Sequence, residues 1–332
     1  MSAYVLRRLL LLPFTLWAVS FIVFLLMRSV PGDPVVAIVG EKAPAEVVER
    51  VRRERGFDRP VLVQYGVYLG RLLRGDLGDS YKSSGDPVAA QIGRRLPPTI
   101  ELTLASMLLA TLAGGALGIL SATRRGTWID ALTTTVALAG VSIPVFWLGF
   151  LLLLAFGGIF PSGGNLGVLH RHDPITGFLL LDTLLRGRGD LFLDALRHLA
   201  LPAAALATIP LAMTARITRA SMLEVLGSDY VRTARAKGVP TRAVVLKHAL
   251  RNALIPITTL VGLEFGYLLG GAVLTETVFN RLGMGTYILD SVRNTEYDSI
   301  GGAVLVLSAT FVLVNLAVDV LYAFIDPRVR HA

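Results

Sequence analysis

The chain has 332 residues, 53% of them hydrophobic and only 17% charged, with a formal net charge of +8. Soluble domains carry about 25% charged residues, which argues against an ordinary water-soluble enzyme. Disordered chains are poor in apolar residues and rich in charge, so disorder is excluded. The chain has no cysteine, which removes disulfides, thiolate metal sites and thiol nucleophiles.

In chain order, the apolar residues fall into six runs of bilayer length: 9–27, 99–122, 131–156, 199–215, 253–278 and 301–325. Each is near the roughly 20 residues that cross a hydrocarbon core at 1.5 Å per residue. The first run follows Arg7 and Arg8 like a secretory signal, but it outlasts the usual 7–15 apolar residues and leads into Arg28-Ser29-Val30-Pro31-Gly32-Asp33-Pro34 with no small-residue cleavage site. It reads as a retained membrane helix. Pro202 and Pro210 interrupt the fourth run, which membrane helices tolerate when neighbours satisfy the freed carbonyls.

Basic residues orient the bundle with both termini in the cytoplasm. The loop after the fourth run is the most basic, while the 28–97 segment is long enough to escape the positive-inside rule. The spans divide the chain into a first transmembrane helix (1–30), an extracytoplasmic segment (31–97), a core of five transmembrane helices (98–325) with a cytoplasmic loop (216–252), and a cytoplasmic tail (326–332). No stripe of basic residues interleaved with aromatics marks a nucleic-acid partner.

The outer segment reads as a small helical cap. Pro44 opens an amphipathic helix through Arg55 that Gly56 ends, a second covers Val61–Arg74 before the turn Gly75-Asp76-Leu77-Gly78, and Asp86 caps a third with Val88, Ile92 and Leu96 on one side. Further on, His170-Arg171-His172-Asp173 has metal-ligand residue types, but two histidines in an outer loop read as incidental.

In the cytoplasmic loop a short basic helix is expected over 229–238. Asp229 is placed to cap it and Lys237 lies near its negative end. Gly238 and Pro240 stop it. Such a helix, displayed along the membrane surface, is a lever that a soluble partner can grip.

The stretch Asp229–Gly238, followed by Lys247-His248-Ala249-Leu250-Arg251-Asn252-Ala253-Leu254-Ile255-Pro256, resembles the loop of the dipeptide/oligopeptide/nickel ABC-importer permeases. The resemblance extends through Pro31-Gly32-Asp33-Pro34, Gly75-Asp76-Leu77-Gly78, Arg95-Leu96-Pro97 with Thr99, Gly140–Trp147, Asn315 with Asp319, and Asp326-Pro327-Arg328. Ile175–Asp182 further resembles members that handle dipeptides or glutathione. The resemblance implies an all-α type I ABC importer permease with six transmembrane helices in a prokaryotic plasma membrane. It would work with a second homologous permease, two ABC ATPase subunits and an extracytoplasmic solute-binding protein. It also implies that Asp229, Tyr230, Arg232, Thr233, Ala234, Arg235, Ala236, Lys237 and Gly238 couple the permease to an ATPase. Of the general loop pattern Glu-Ala-Ala, three residues, Gly, only Ala234 and Gly238 match, with Arg232 and Thr233 standing at the first two places.

The fifth run sets Gly262, Gly266 and Gly270 on one face, a pattern that predicts a tight helix–helix seam. Glu264 lies about 16 Å along that helix from Ala253, near the bilayer centre, where an ionisable group is costly. These four are the candidate pathway residues, with pairing to a basic or hydroxyl group, or a protonated, hydrogen-bonded structural role, as the alternatives for Glu264. Glu276 falls at the outer interface, where burial costs little, and Asn315 with Asp319 suggests a structural polar seam. No phosphate-binding G-x-x-x-x-G-K-[ST] loop occurs, so the chain is not expected to hydrolyse ATP by itself; no cofactor is expected on this chain, and ATP with Mg is expected on the partner ATPases. H-E-x-x-H and G-x-S-x-G are likewise absent. The competing reading is a secondary transporter or channel with Glu264 as its ion or proton site.

Overall fold

The computed structural model describes residues 2–29, 33–40, 42–80, 86–167 and 174–325. Among them there is no strand, only an isolated bridge between Asp79 and Pro87. The apolar run at the N-terminus lies within helix α1 (Ser2–Ser29). In α2 (Pro34–Val39), Asp33 accepts a capping bond from the Val35 amide at 2.9 Å, and Pro34 occupies the first turn, where its missing donor costs nothing. Helix α3 (Ala45–Glu54) starts after Pro44, as the sequence suggests. Helix α4 (Val61–Leu72) stops two residues short of its expected end.

The expected third cap helix is not separate. Val88, Ile92 and Leu96 are the first turns of α5 (Val88–Thr123), which runs through Pro97-Pro98 into the second apolar run. Val88 and Ile92 form a core with Met284, Tyr287 and Ala303, and Leu96 packs against it.

The third apolar run is also not one straight span. It breaks into α6 (Trp128–Ser142) and α7 (Val145–Phe156), bent by 108°. The residue before a proline is pushed out of the helical region, and Ile143, before Pro144, is extended at φ −93°, ψ 125°. After α8 (Leu179–Leu185), helix α9 (Gly189–Leu226) continues unbroken through Pro202 and Pro210 and is much longer than the expected 199–215. Next come α10 (Asp229–Ala236), the single turn α11 (Thr241–Ala243), a π-helical turn (Val244–Ala249) and α12 (Leu250–Val278). The last two helices are α13 (Met284–Arg293) and α14 (Tyr297–Ile325). Among the described residues, five helices are long and apolar enough to cross a membrane, or six if the bent pair counts as one span.

The chain forms two compact units. One comprises residues 98–281 with the stretch from 313 onward, and the other residues 2–97 with 282–312. In the first, α9 packs against α6, α7, α8 and α12. It meets α5 at Gly114 and Gly118, where an added Cβ would stand 2.5 Å from the Leu211 carbonyl oxygen and 2.6 Å from that of Ala215. Small residues four apart let two membrane helices come this near.

In the second unit, Tyr65 of α4 is buried against α1. Its hydroxyl meets Ser20 Oγ at 2.9 Å, and the Phe21 ring stands edge-on at 5.0 Å. The Gly75–Gly78 turn is held by Asp76, which accepts from the Gly78 amide at 2.9 Å and from Arg71 Nε at 2.8 Å. Arg71 and then the Gly78 amide hold the Asp76 carboxyl below the usual carboxylate range. Ser80 and Ser299 both donate at 2.8 Å to the buried Glu296. Gly78 has φ +91° and sits directly on Asp298, whose Oδ2 would be 2.4 Å from a Cβ. Gly78→Ala should therefore lower the thermal midpoint of the solubilised protein more than Gly75→Ala. Both incur the roughly 1–2 kcal/mol of left-handed backbone, but Gly75 has open space around it. Equal shifts in the two variants would remove the role of the Asp298 contact.

Candidate functional site

Helix α10 is short and strongly anchored. The chain leaves α9 through Gly227 and Ser228, and Ser228 rather than Asp229 is the N-cap. Ser228 makes no side-chain cap bond, because its hydroxyl donates back to the Val225 carbonyl at 2.6 Å. Asp229 instead occupies the first turn, where its charge meets the positive end of the helix dipole, and it pairs with exposed Arg232 at 2.7 Å. Val231 is fully buried and fixes the inner face. Tyr230 ties α10 to the π turn and α12. Its hydroxyl donates to the His248 carbonyl at 3.3 Å and accepts from Asn252 Nδ2 at 2.6 Å.

The stop falls where the sequence places it. Gly238 lies at φ +78°, its amide bonds to the Arg235 carbonyl at 3.0 Å, and the Val239 amide bonds to that of Ala234 at 3.2 Å. Arg232, Thr233, Arg235, Ala236 and Lys237 are all exposed, and Ala234 is half-buried. The result is a docked, basic ridge. Beneath it, Ala122 of α5, Met222 of α9, Val245 and Ala249 of the π turn and Ala253 of α12 form one buried cluster. Arg219 of α9 grips Asp130 of α6 bidentately, at 2.8 and 2.9 Å, and also reaches Ser121 Oγ of α5 at 3.0 Å. A bidentate guanidinium–carboxylate pair fixes orientation as well as distance, so the ends of three helices are locked together.

The pathway candidates are distributed unevenly. Gly262 is buried against α14, where an added Cβ would lie 2.2 Å from Val318 Cγ1. Gly266 is buried, whereas Gly270 is exposed with open space around it. The expected seam therefore closes at one end only within this chain, while Gly114 and Gly118 of α5 form a second close contact, against α9. Glu264 is half-buried and makes no hydrogen bond or ion pair among the described residues. It borders an exposed stripe of α12 formed by Leu263, Tyr267, Gly270 and Leu274.

A second polar cluster was not assembled from sequence. Glu276, expected at the outer interface, is fully buried within the fold and accepts from Thr99 Oγ1 at 2.5 Å. Glu101 is buried as well and accepts from the Leu180 amide at 2.8 Å. Arg281, 1% exposed, stands 3.8 Å from Glu101 and interacts electrostatically with Glu276. The signal was present: an acid within an apolar run calls for a polar partner or cavity, and Arg281 follows Glu276 by five residues. The Ile175–Asp182 motif has a structural explanation too. Buried Asp182 accepts from the amides of Ile175, Thr176 and Gly177 at 2.9–3.1 Å and from Thr176 Oγ1 at 2.6 Å.

His170-Arg171-His172-Asp173, Pro31-Gly32, the Asp326-Pro327-Arg328 tail and the side chain of Asp319 lie outside the described residues. Among the described residues, no three His, Cys, Asp or Glu side chains converge as a metal site.

Comparisons with known proteins agree with this architecture. The family described as binding-protein-dependent transport system inner membrane component matches residues 114–331, and its N-terminal counterpart matches residues 1–103. The di/tripeptide transport system permease protein DppB of Pseudomonas aeruginosa is 45% identical, covering 100% of this chain and 99% of its own. The glutathione transport system permease protein GsiC of Escherichia coli O6:H1 is 44% identical, covering 100% of both chains. In fold, the chain is similar to an inward-facing structure of the MetNI methionine ABC transporter. The TM-score is 0.52 at 16% identity, over 69% of this chain and 93% of that one.

Proposed function

This chain belongs to the family of binding-protein-dependent transport system inner membrane components, and from that premise we propose that it is the permease subunit of an ATP-driven importer of short peptides. Relatives matched end to end are named for di/tripeptide and for glutathione transport, and both substrates are short peptides. The observation that carries the mechanism is α10, a basic ridge anchored by Val231 and Tyr230 and ended by Gly238.

In this reading α10 faces the cytoplasm and rests in a partner ATPase. Closure of the ATPase pair pushes on Arg232, Arg235 and Lys237. The buried Val231 and the Tyr230–Asn252 bond pass that displacement to α9 and α12, while the Arg219–Asp130 pair makes the helix ends move as one body. Asp229–Gly238 is thus the coupling segment. A second permease packs on the exposed stripe of α12, which brings Glu264, Gly266 and Gly270 to the pathway between the two subunits. An extracytoplasmic binding protein delivers the peptide. ATP and Mg are held by the ATPases.

Reconstitution tests the assembly directly. The tagged chain should co-purify with two ATPase subunits and a second permease, and peptide uptake into proteoliposomes should require ATP and the binding protein. Uptake driven by an ion gradient without ATP would overturn the reading in favour of a Glu264-dependent carrier. Within the assembled importer, Glu264→Gln should reduce uptake severalfold with an unchanged thermal midpoint. Full uptake by that variant would remove Glu264 from the pathway.

A further inference from the structure

An arginine-rich cleft lies in the unit formed by residues 2–97 and 282–312, at the C-terminal end of α1. A cleft of about 370 Å³ opens there, lined by five arginines against three carboxylates, with Phe24, Met27, Val67 and Leu77 as its apolar wall. Arg52 and Arg71 are engaged by carboxylates: Arg52 bonds Asp33, and Arg71 bonds Asp76. Arg28 and Arg59 are not. Among the described residues Arg28 donates only to a neutral amide, Gln64 Oε1, and its guanidinium stands 6.0 Å from the Phe24 ring centroid. Arg59 makes no ion pair among the described residues, and its side chain folds back over Gly56, where an added Cβ would be 3.3 Å from Nε. Gln64 organises both positions, since its Nε2 donates to the Arg59 carbonyl at 2.6 Å and to that of Phe57 at 3.1 Å.

The location narrows the ligand. Arg28 sits at the end of the apolar run of α1, the height at which a spanning helix meets lipid phosphates. The exposed side of α4 beside the cleft is apolar, with Leu62 75% and Val67 50% exposed. Two cations without carboxylate partners above such surfaces fit an anion that carries hydrocarbon.

We propose that this cleft binds the phosphate headgroup of an anionic phospholipid of the outer leaflet, held by Arg28 and Arg59, with its acyl chains along α1 and the apolar side of α4. The proposal rests on reading α1 as a membrane span. It explains how a peripheral helix whose apolar segment is only 11% buried is kept beside the cap.

Native mass spectrometry of the purified full chain tests it, with phosphatidylglycerol, phosphatidylcholine and inorganic phosphate as probes. The wild-type protein should retain phosphatidylglycerol at least about tenfold better than phosphatidylcholine, a difference of about 1.4 kcal/mol. The preference should vanish in the Arg28→Gln, Arg59→Gln double variant. It should persist in Arg53→Gln, Arg74→Gln, which removes the same charge from exposed positions outside the cleft. Matching elution profiles and thermal midpoints establish that the variants fold. Equal retention of the two lipids, or an unchanged preference in the cleft variant, would overturn the proposal. Inorganic phosphate displacing phosphatidylglycerol at comparable concentration would overturn the lipid assignment in favour of a free anion. Failure to retain any lipid at all would overturn the site.

Discussion

Arg281→Met should be among the most destabilising single substitutions in this protein. The guanidinium is 1% exposed and is the cation facing Glu101 and Glu276, both of them buried. Removing it leaves two carboxylates confined together without their counter-charge. Loss of one partner from a buried ionic group typically costs about 3–5 kcal/mol, because the remaining charge keeps its desolvation cost and loses its compensation. The expected result is a large drop in the thermal midpoint of the solubilised chain and a shift of its elution profile toward aggregates. Adding Glu101→Gln to that background should restore part of the loss, since one of the two opposed charges is then removed. A methionine variant as stable as the parent would show that the cluster is not an ionic one.

Gly238→Val should fold and insert normally but transport at roughly a tenth of the parent rate. Gly238 lies at φ +78°, and nothing stands within 4 Å of where its Cβ would be, so the substitution acts through the backbone alone. A β-branched residue there pays at least the roughly 1–2 kcal/mol of the left-handed conformation, which is about a tenfold bias toward unwinding the end of α10. The lever then ends a turn early and transmits less of the ATPase stroke. Gly238→Asn, which visits that conformation more readily, should retain most of the activity. Uptake and binding-protein-stimulated ATP hydrolysis in proteoliposomes are the readouts. Normal values for the valine variant would sink the lever.

The two variants mark where sequence reasoning reached and where it stopped. Gly238 was legible because a helix stop is local: a glycine in the left-handed region followed by Val239-Pro240 needs no distant partner. The cap was legible only approximately. Asp229 and Ser228 are both good N-cap types, and the choice turned on where α9 ended. The break at Ile143-Pro144 followed from a rule about residues before proline, yet an unbroken apolar composition on both sides hid it. Gly114 and Gly118 passed unnoticed while Gly262, Gly266 and Gly270 were singled out. Spacing shows that a face is small, and only the packed neighbours show which small face is used.

By itself, the sequence determined the membrane class, the apolar runs, the basic loop with its glycine stop, and the family resemblance. These are written in composition and in contacts a few residues apart. Only the tertiary structure decided that Glu276 is buried, that Arg281 answers Glu101, that Arg219 locks Asp130, and that Tyr230 reaches Asn252. Each pairing joins residues far apart in the chain or set by the fold of a turn. Electrostatic compensation in a medium without water depends on distance in space, which a linear pattern does not carry.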